Sequence, residues 1–237
     1  MVDKNQLAPF ETESIFQASQ KLRSYFGYHK LLNSDDKNFH FKEDITHFDS
    51  FSVFEFELLG ELSVQHYSLD DAYVFHFPVS GYFLVNSGLE VIKVSPGQMF
   101  ILSPNVTPHF KMLKGAKVLV IYVPRNGLFK YARDILQFQP NFDLLFPLTG
   151  CSERAVAAIH NAVLNILTTN KLLDNECLKT HYLKQAEPCL LTLLLTVIDS
   201  SFKTQLKLTD TNDLPLIIRA ARAHFISGPG AALLQIN

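Results

Sequence analysis

Three histidines and one glutamate along the middle of the sequence are residue types that bind transition metals. In chain order they are His66, His76, Glu90 and His109. Imidazole and carboxylate groups of this kind can hold iron, manganese or zinc with positions left open for a substrate. Two ligands on one strand share a face when they are two residues apart, but the residue two after His76 is Pro78. We therefore interpret these histidines as ordinary polar or half-buried residues, and we expect no metal and no other cofactor.

The sequence lacks the short motifs that mark common catalytic sites. The patterns GxSxG, HExxH, GxxxxGK[ST] and GxGxxG are all absent. The cysteines, Cys151, Cys177 and Cys189, share no CxxC spacing and lie in a part of the chain with helical periodicity. Such cysteines are typical of packing residues. We therefore predict no catalytic residue and no enzymatic activity.

The composition is that of a folded cytoplasmic chain. Of the 237 residues, 47% are hydrophobic and 19% are charged, which is enough for a sizeable core. The formal net charge of -2 argues against a nucleic-acid surface over the whole protein. An odd number of cysteines suits a reducing compartment, and the N-terminus lacks the pattern of a secretion signal. The longest apolar run near the end, 189–198, is about half of a membrane span, so we expect a cytoplasmic protein that does not enter the membrane.

The sequence predicts one helix near the N-terminus, then a run of strands, and then three further helices. One helix is predicted over Ser14–Phe26. From residue 51 to residue 123, short β-branched and aromatic runs are separated by turn residues, which is typical of an antiparallel sandwich or barrel. Helical periodicity then predicts helices at 127–138, 152–169 and 178–201. Pro188 should kink or break the last of these.

The strand around His76 offers an apolar wall with a few polar groups. Tyr73, Phe75 and Phe77 alternate with Val74 and His76, so the two sets face opposite sides of the strand. A small barrel either fills its interior with side chains or holds one small ligand. The candidate ligand-binding residues are His66, Tyr73, Phe75, His76, Tyr82 and His109.

An aromatic wall with one or two polar groups would suit a flat organic acid. Its carboxylate would need a cationic or strong donor partner, and the local candidates are His66, His76, His109, Lys93 and Tyr82. The alternative is that the aromatic side chains are simply core. The strand register decides between the two, and the sequence does not give the register.

The chain ends on a predicted helix that has little left to pack against. An apolar face recurs at helical spacing from Ile217 to Phe225, with Arg219 and Arg222 off that face. Gly228-Pro229-Gly230 ends the pattern. The preceding stretch, 202–213, is polar and without a strong period, which indicates a linker.

The stretch YVFHFPVSGYFLVNSGLEVIKVSPGQMFILSPNVTPHF, 73–110, carries a family resemblance. A strand leads to a turn at Gly81, a hairpin follows at 86–88, and a Pro96-Gly97 turn precedes an apolar strand. In this order it resembles the cupin-like sensor domain of the AraC/XylS family of bacterial transcription regulators. The branch that includes regulators of aromatic-acid degradation is the most similar. The resemblance implies an α+β fold: a cupin-like antiparallel β-barrel of the double-stranded β-helix type, followed by a helical dimerisation subdomain.

The resemblance also implies how the chain is divided. A cupin-like effector-sensing barrel is expected at 1–125, a helical dimerisation subdomain at 126–201 and a linker at 202–213. The segment 214–237 resembles the first helix of a truncated helix-turn-helix DNA-binding domain, with Arg219 and Arg222 as candidate DNA contacts. Two arginines cannot supply the several phosphate contacts that give useful affinity, so we expect no operator binding by this chain alone.

The function implied is that of the ligand-sensing and dimerising part of a transcription regulator. A small effector, such as an aromatic or other organic acid, would bind in the barrel, and a homodimer would form through helices 152–169 and 178–201. DNA would be bound only by a full-length form. Two alternatives stay open: a metal-dependent cupin-like enzyme, and a constitutive dimerisation module with a filled barrel.

Overall fold

The computed structural model describes residues 9–33, 39–66, 69, 71–104, 109–113, 115–134 and 144–203. The strands in this part of the chain are β1 (Phe10–Thr12), β2 (His29–Asn33), β3 (His40–His47), β4 (Ser52–Leu59), β5 (Leu62–His66), β6 (Ala72–Ser80), β7 (Phe83–Asn86), β8 (Val91–Val94), β9 (Phe100–Leu102), β10 (His109–Met112) and β11 (Lys117–Pro124). The helices are α1 (Ile15–Phe26), α2 (Arg125–Asp134), α3 (Glu153–Leu172) and α4 (Glu176–Val197).

The strands form two antiparallel sheets, which we call sheet A and sheet B. Sheet A has six strands in the order β1-β3-β4-β11-β6-β9, and sheet B has five in the order β2-β5-β10-β7-β8. At several points the chain passes from one sheet to the other between consecutive strands. For example, β4 belongs to sheet A and β5 to sheet B. The predicted α+β class with antiparallel strands is confirmed.

The alternation along β6 gives sheet A two buried faces. Val74 packs in a cluster with Phe56, Val120 and the apolar residues of sheet B, between the two sheets. Tyr73 and Phe75 belong to a second cluster, formed with the three helices α2, α3 and α4. The molecule therefore has three layers, with sheet A in the middle. Both faces of β6 are buried, which explains why its sequence is apolar at nearly every position.

Helix α1 begins and ends at the residues that the sequence predicts. The Ser14 side chain caps its N-terminus by accepting a hydrogen bond from the backbone N–H of Gln17 at 3.4 Å. Gly27 ends it with a φ of 73°, a left-handed conformation that glycine adopts without a Cβ clash. Ala18 and Leu22 face the space between the sheets.

Helices α3 and α4 form an antiparallel pair on the outer face of sheet A. Ser152 caps α3 and Asn175 caps α4. Helix α4 runs without a break through Pro188. The Pro188 carbonyl accepts a hydrogen bond from the Tyr131 hydroxyl at 2.8 Å, and that hydroxyl also lies 2.6 Å from Thr192 Oγ1.

Other predicted elements are shifted or fall outside the described residues. Helix α2 begins at Arg125 and is described to Asp134, whereas the sequence predicts 127–138. The predicted linker after residue 203 and the whole predicted final helix, with Arg219 and Arg222, lie outside the described residues. No helix in the described part of the chain is long and apolar enough to cross a membrane.

Candidate ligand-binding site

A small cavity lies between the two sheets, with α1 contributing part of its wall. Its free volume is about 50 Å³. The lining is apolar apart from two imidazoles, and it consists of Leu22, Phe26, His29, Phe41, Phe56, Leu62, Val64, Leu69, Val74, His76, Phe83, Leu102, Phe110, Met112, Val118 and Val120. We call this space the interior cavity. None of these described lining residues is an Asp, Glu, Lys or Arg.

His76 is held in the cavity wall by aromatic rings. Its imidazole stacks on Phe100, with ring centroids 4.2 Å apart and planes 7° from parallel. The Phe110 ring meets it edge-on at 5.4 Å. On β11, Val120 is the register partner of His76, so the two side chains share the interior face of sheet A. His76 therefore gives the cavity a flat, buried wall with polar atoms at its edge.

His29 at the start of β2 is the second buried imidazole, and its side chain is 1% exposed. Its Nδ1 lies 3.0 Å from the Gly27 carbonyl oxygen. Because a carbonyl only accepts, Nδ1 carries the hydrogen in this contact. Burial lowers the pKa of His29, and the nearby charge of Arg23 acts in the same direction, while the hydrogen bond to Gly27 opposes both. The neutral tautomer that results has Nε2 as a hydrogen-bond acceptor.

The end of α1 closes one side of the interior cavity. The Phe26 ring lies 5.0 Å from that of Phe54 and 5.4 Å from that of Tyr122. A guanidinium nitrogen of Arg23 donates to the His29 carbonyl at 3.3 Å, which ties α1 to β2. These contacts hold Phe26 over the cavity through side-chain packing and one long hydrogen bond.

A buried carboxylate lies beneath α1. The Glu43 side chain is 1% exposed, and its nearest cation is Lys21, whose Nζ is 3.9 Å from Oε1. Neither carboxylate oxygen has a hydrogen-bond partner among the described residues. Burial raises the pKa of Glu43 to about 7, and the charge of Lys21 opposes the rise. Glu43 is therefore partly protonated near neutral pH.

Of the six predicted ligand-binding residues, the structure places one in the lining of the interior cavity: His76. Tyr73 and Phe75 face the helices, where both rings contact Phe146 at centroid distances of 5.2 and 5.3 Å. The side chains of β6 alternate as predicted. The register, which the sequence left open, places His76 on the face of sheet A that lines the interior cavity.

The other three predicted residues lie around sheet B. His109 has an exposed side chain on its outer face, where its Nε2 lies 2.8 Å from Ser63 Oγ. Tyr82 is half-buried, with Lys93 Nζ 4.2 Å from the centre of its ring. His66 ends β5, where its backbone is the register partner of His29.

The residues considered as metal ligands are likewise dispersed. His76 is buried between the sheets, His109 is exposed, and Glu90 lies exposed at the turn between β7 and β8, where its backbone N–H bonds to Ser87 Oγ at 3.1 Å. In the described part of the chain, no group of three His, Cys, Asp or Glu side chains is placed to hold a metal ion.

A second concavity lies on the surface, between α3 and the turn before β9. Its volume is about 620 Å³, and it is lined by Phe77, Pro78, Ser95, Pro96, Gly97, Gln98, Glu153, Val156, Ala157, His160 and Asn161. We call it the surface groove. The rings of Phe77 and His160 lie at its base, 6.2 Å apart. It is larger than the interior cavity and more polar.

The sequence reasoning missed His29 and the contribution of α1 to the interior cavity. The apolar face of α1 was visible in the sequence, but not the fact that Leu22 and Phe26 line the same cavity as His76. His29 lies two residues after the helix-ending Gly27, where only the structure shows its bond back to that glycine's carbonyl.

Two facing antiparallel sheets with a helical layer on one of them define a cupin-like domain. A sequence profile of the AraC-binding-like domain family, AraC_binding_2, matches residues 18–191, and the chain belongs to this family. The predicted relationship to the sensor domains of AraC-type regulators is therefore confirmed, and the protein is an AraC-like effector-binding domain.

Solved structures are similar to this chain in fold. The crystal structure of the AraC-like transcriptional activator CuxR superposes with a TM-score of 0.59 at 11% identity, covering 97% of this chain and 81% of that one. KdgF from Halomonas sp. has a TM-score of 0.30 at 19% identity, covering 40% of this chain and 88% of that one. An RmlC-like cupin protein from Desulfovibrio desulfuricans has a TM-score of 0.31 at 22% identity, covering 39% and 89%. No curated protein matches the sequence.

Proposed function

We propose that this chain is the ligand-sensing and dimerisation region of an AraC/XylS-like transcription regulator, with a small effector bound in the interior cavity. The observation that carries the proposal is the apolar cavity with two buried imidazoles, inside a domain of the AraC-binding-like family. Apolar walls with a few placed polar groups are typical of small-molecule sites.

The size of the cavity implies that the effector must move side chains to enter. A volume of about 50 Å³ holds one or two water molecules, whereas most ligand sites exceed about 300 Å³. Of the lining residues, Leu22 and Phe26 belong to α1 rather than to a sheet. Binding would therefore select a conformation in which the end of α1 is displaced. Displacement of α1 is our proposal for how the sensor reports its ligand.

The same small volume supports a second candidate, a dimerisation module whose interior is permanently filled. Packing at the density of a protein interior leaves few voids larger than a water molecule. The two candidates differ in one observable, because only the sensor is stabilised by a small molecule.

Thermal unfolding with and without ligands tests the sensor proposal. The purified chain is screened against neutral aromatic compounds, aromatic and aliphatic carboxylates and, for the metal-dependent alternative, iron, manganese and zinc. A ligand at 100 times its Kd stabilises the native state by about 2.7 kcal/mol, or a rise in Tm of roughly 5 to 11 °C for a domain of this size. If no compound raises the Tm, the dimerisation module with a permanently filled interior is favoured.

Two variants locate the site of any compound that binds. Val120→Ile adds one methylene to the cavity wall between Phe54 and His76, and it should weaken the response. His160→Ala changes the surface groove and should leave the response unchanged. The reverse pattern would move the proposed effector site to the groove.

We propose that α3 and α4 form the homodimer contact, through the ends where they meet. The second half of α4 is buried against sheet A, but its first half is largely exposed. Leu172 at the end of α3 is 75% exposed and Leu178 near the start of α4 is 56% exposed. Exposed leucines on neighbouring helix ends are suited to bury each other against a second copy.

The oligomeric state of charge-introducing variants tests the dimer. Leu172→Glu and Leu178→Glu should convert the chain to a monomer in light scattering after size exclusion. Leu89→Glu is the matched control, because Leu89 is 98% exposed at the tip of the β7–β8 hairpin. A dimer that survives both helix variants, or is lost in the control, would contradict the assignment.

We further propose that a longer form of the protein binds operator DNA in the cytoplasm, with Arg219 and Arg222 in its first DNA-binding helix. Support comes from the family membership and from the helical pattern near residue 220. A gel-shift titration of the present chain should show no specific complex, whereas the longer form should show one whose affinity falls steeply with salt.

A further inference from the structure

We infer that the ligand of the interior cavity is a small, uncharged aromatic compound with one hydroxyl or N–H donor, which donates to Nε2 of His29. This inference rests on the proposed function, because it names the chemical class bound at the same site. It differs from the organic acid that the sequence suggested, and it follows from where the structure places the charged and polar groups.

The lining of the interior cavity offers no formal charge to an anion. Among the described residues that line it, none is a lysine or an arginine. Two groups expected to receive a carboxylate lie elsewhere: Lys93 stands over the Tyr82 ring, and His109 contacts Ser63 on the outer face of sheet B. A carboxylate moved from water into this hydrocarbon lining would lose its hydration without gaining a cation.

His29 is arranged to accept a hydrogen bond rather than to donate one into the cavity. Its Nδ1 hydrogen is directed to the Gly27 carbonyl, 3.0 Å away. The other ring nitrogen can become a donor only if the imidazole takes up a second proton. Burial and the charge of Arg23 both oppose that proton. A neutral hydroxyl or N–H group is therefore the complement of this ring.

The shape and size of the cavity favour a single small ring as the body of the ligand. The His76 imidazole and the Phe100 ring stack 7° from parallel, which gives a flat wall next to the cavity. A planar aromatic ring can lie against such a wall in an offset or edge-on contact. Long aliphatic chains would require a larger displacement than one phenolic ring, since the free volume is about 50 Å³.

Three para-substituted toluenes test the inference: p-cresol, 4-methylanisole and p-toluate. The first has a donor hydroxyl, the second has the same ring without the donor, and the third carries a carboxylate. Each is added at millimolar concentration to the full chain, and Kd is obtained from the rise in Tm. We expect p-cresol to bind about three- to tenfold more tightly than 4-methylanisole and p-toluate to give no shift.

Two variants of His29 separate its role as acceptor from its role in the fold. His29→Asn places an amide where Nδ1 stands and removes Nε2, whereas His29→Gln places an amide oxygen near Nε2. The preference for p-cresol over 4-methylanisole should be lost in His29→Asn and retained in His29→Gln. Since this readout is a ratio of two affinities, a general loss of stability does not imitate it.

Each outcome bears on a different claim. If p-toluate binds as well as p-cresol or better, and Val120→Ile weakens it, the inference is wrong while the proposed function stands. Equal affinities for p-cresol and 4-methylanisole would contradict the claim that the ligand donates a hydrogen bond to His29. If none of the three probes shifts the Tm, the interior site fails, and the inference fails with it.

Discussion

The buried carboxylate of Glu43 should make the stability of this fold fall as the pH rises toward neutrality. Glu43 is 1% exposed, has Lys21 Nζ 3.9 Å from Oε1, and has its pKa raised from 4.5 to about 7 by burial. An acid with a raised pKa in the folded state binds its proton more tightly there than in the unfolded chain. Its contribution is therefore fully favourable below pH 4.5 and is lost as the pH rises through 7.

The size of the effect follows from the difference between the two pKa values. One pKa unit corresponds to 1.36 kcal/mol, so the rise from 4.5 to about 7 sets an upper limit of roughly 3.4 kcal/mol. Most of that change falls between pH 5 and pH 8. Glu43→Gln removes the titration and keeps the shape of the protonated acid. Its stability relative to wild type should therefore grow by up to roughly 2.5 kcal/mol over this interval.

Urea unfolding of both proteins at pH 5, 6, 7 and 8 measures this difference directly. The pH dependence of all other groups cancels when wild type and variant are compared at each pH. Glu57→Gln serves as the control for the loss of a carboxylate, because Glu57 is an exposed partner of Lys117 at 2.8 Å and such surface ion pairs contribute at most about 1 kcal/mol. A constant difference between Glu43→Gln and wild type from pH 5 to pH 8 would refute the reasoning.

Further changes in stability follow from the packing. Val120→Ile should be neutral or stabilising by up to about 0.8 kcal/mol in urea unfolding, because the cavity beside Val120 can accept one methylene; a clear loss would show that no room exists. Gly81→Ala should cost more than about 2 kcal/mol, since φ is 69° and the new Cβ would meet Ala116 Cα at 3.0 Å. Gly88→Ala, with a φ of 87° and open space, should cost about 1 kcal/mol, and equal losses would exclude the close contact. Tyr131→Phe should cost about 1 to 3 kcal/mol, because it removes the hydroxyl that joins α2 to α4 at Pro188; an unchanged urea midpoint would contradict that role.

The sequence predicted the type of each element well where the periodicity was strong. Helix α1, the strand region and α3 follow from patterns of period 3.6 and period 2. The sequence did not predict that α4 continues through Pro188, because a proline inside a helix favours a kink or a break. Tertiary packing of the second half of α4 on sheet A accompanies a continuous helix there.

The candidate site was predicted less completely, for a reason that lies in the sheet. Alternation showed that Tyr73 and His76 face opposite ways, but both faces of β6 are buried, so hydrophobicity could not tell the interior face from the helix face. The pairing of His76 with Val120 across the sheet decides the question, and such pairing is a long-range property. The role of α1 in the lining is likewise a contact between distant segments.

The most direct test of the central claim is the location of a bound probe by intermolecular nuclear Overhauser effects. With p-cresol in slow or intermediate exchange on the methyl-labelled chain, the ring protons should show contacts to the methyl groups of Leu22, Val74 and Val120, which line the interior cavity. Contacts to Val156 and Ala157 instead would place the ligand in the surface groove and contradict the account.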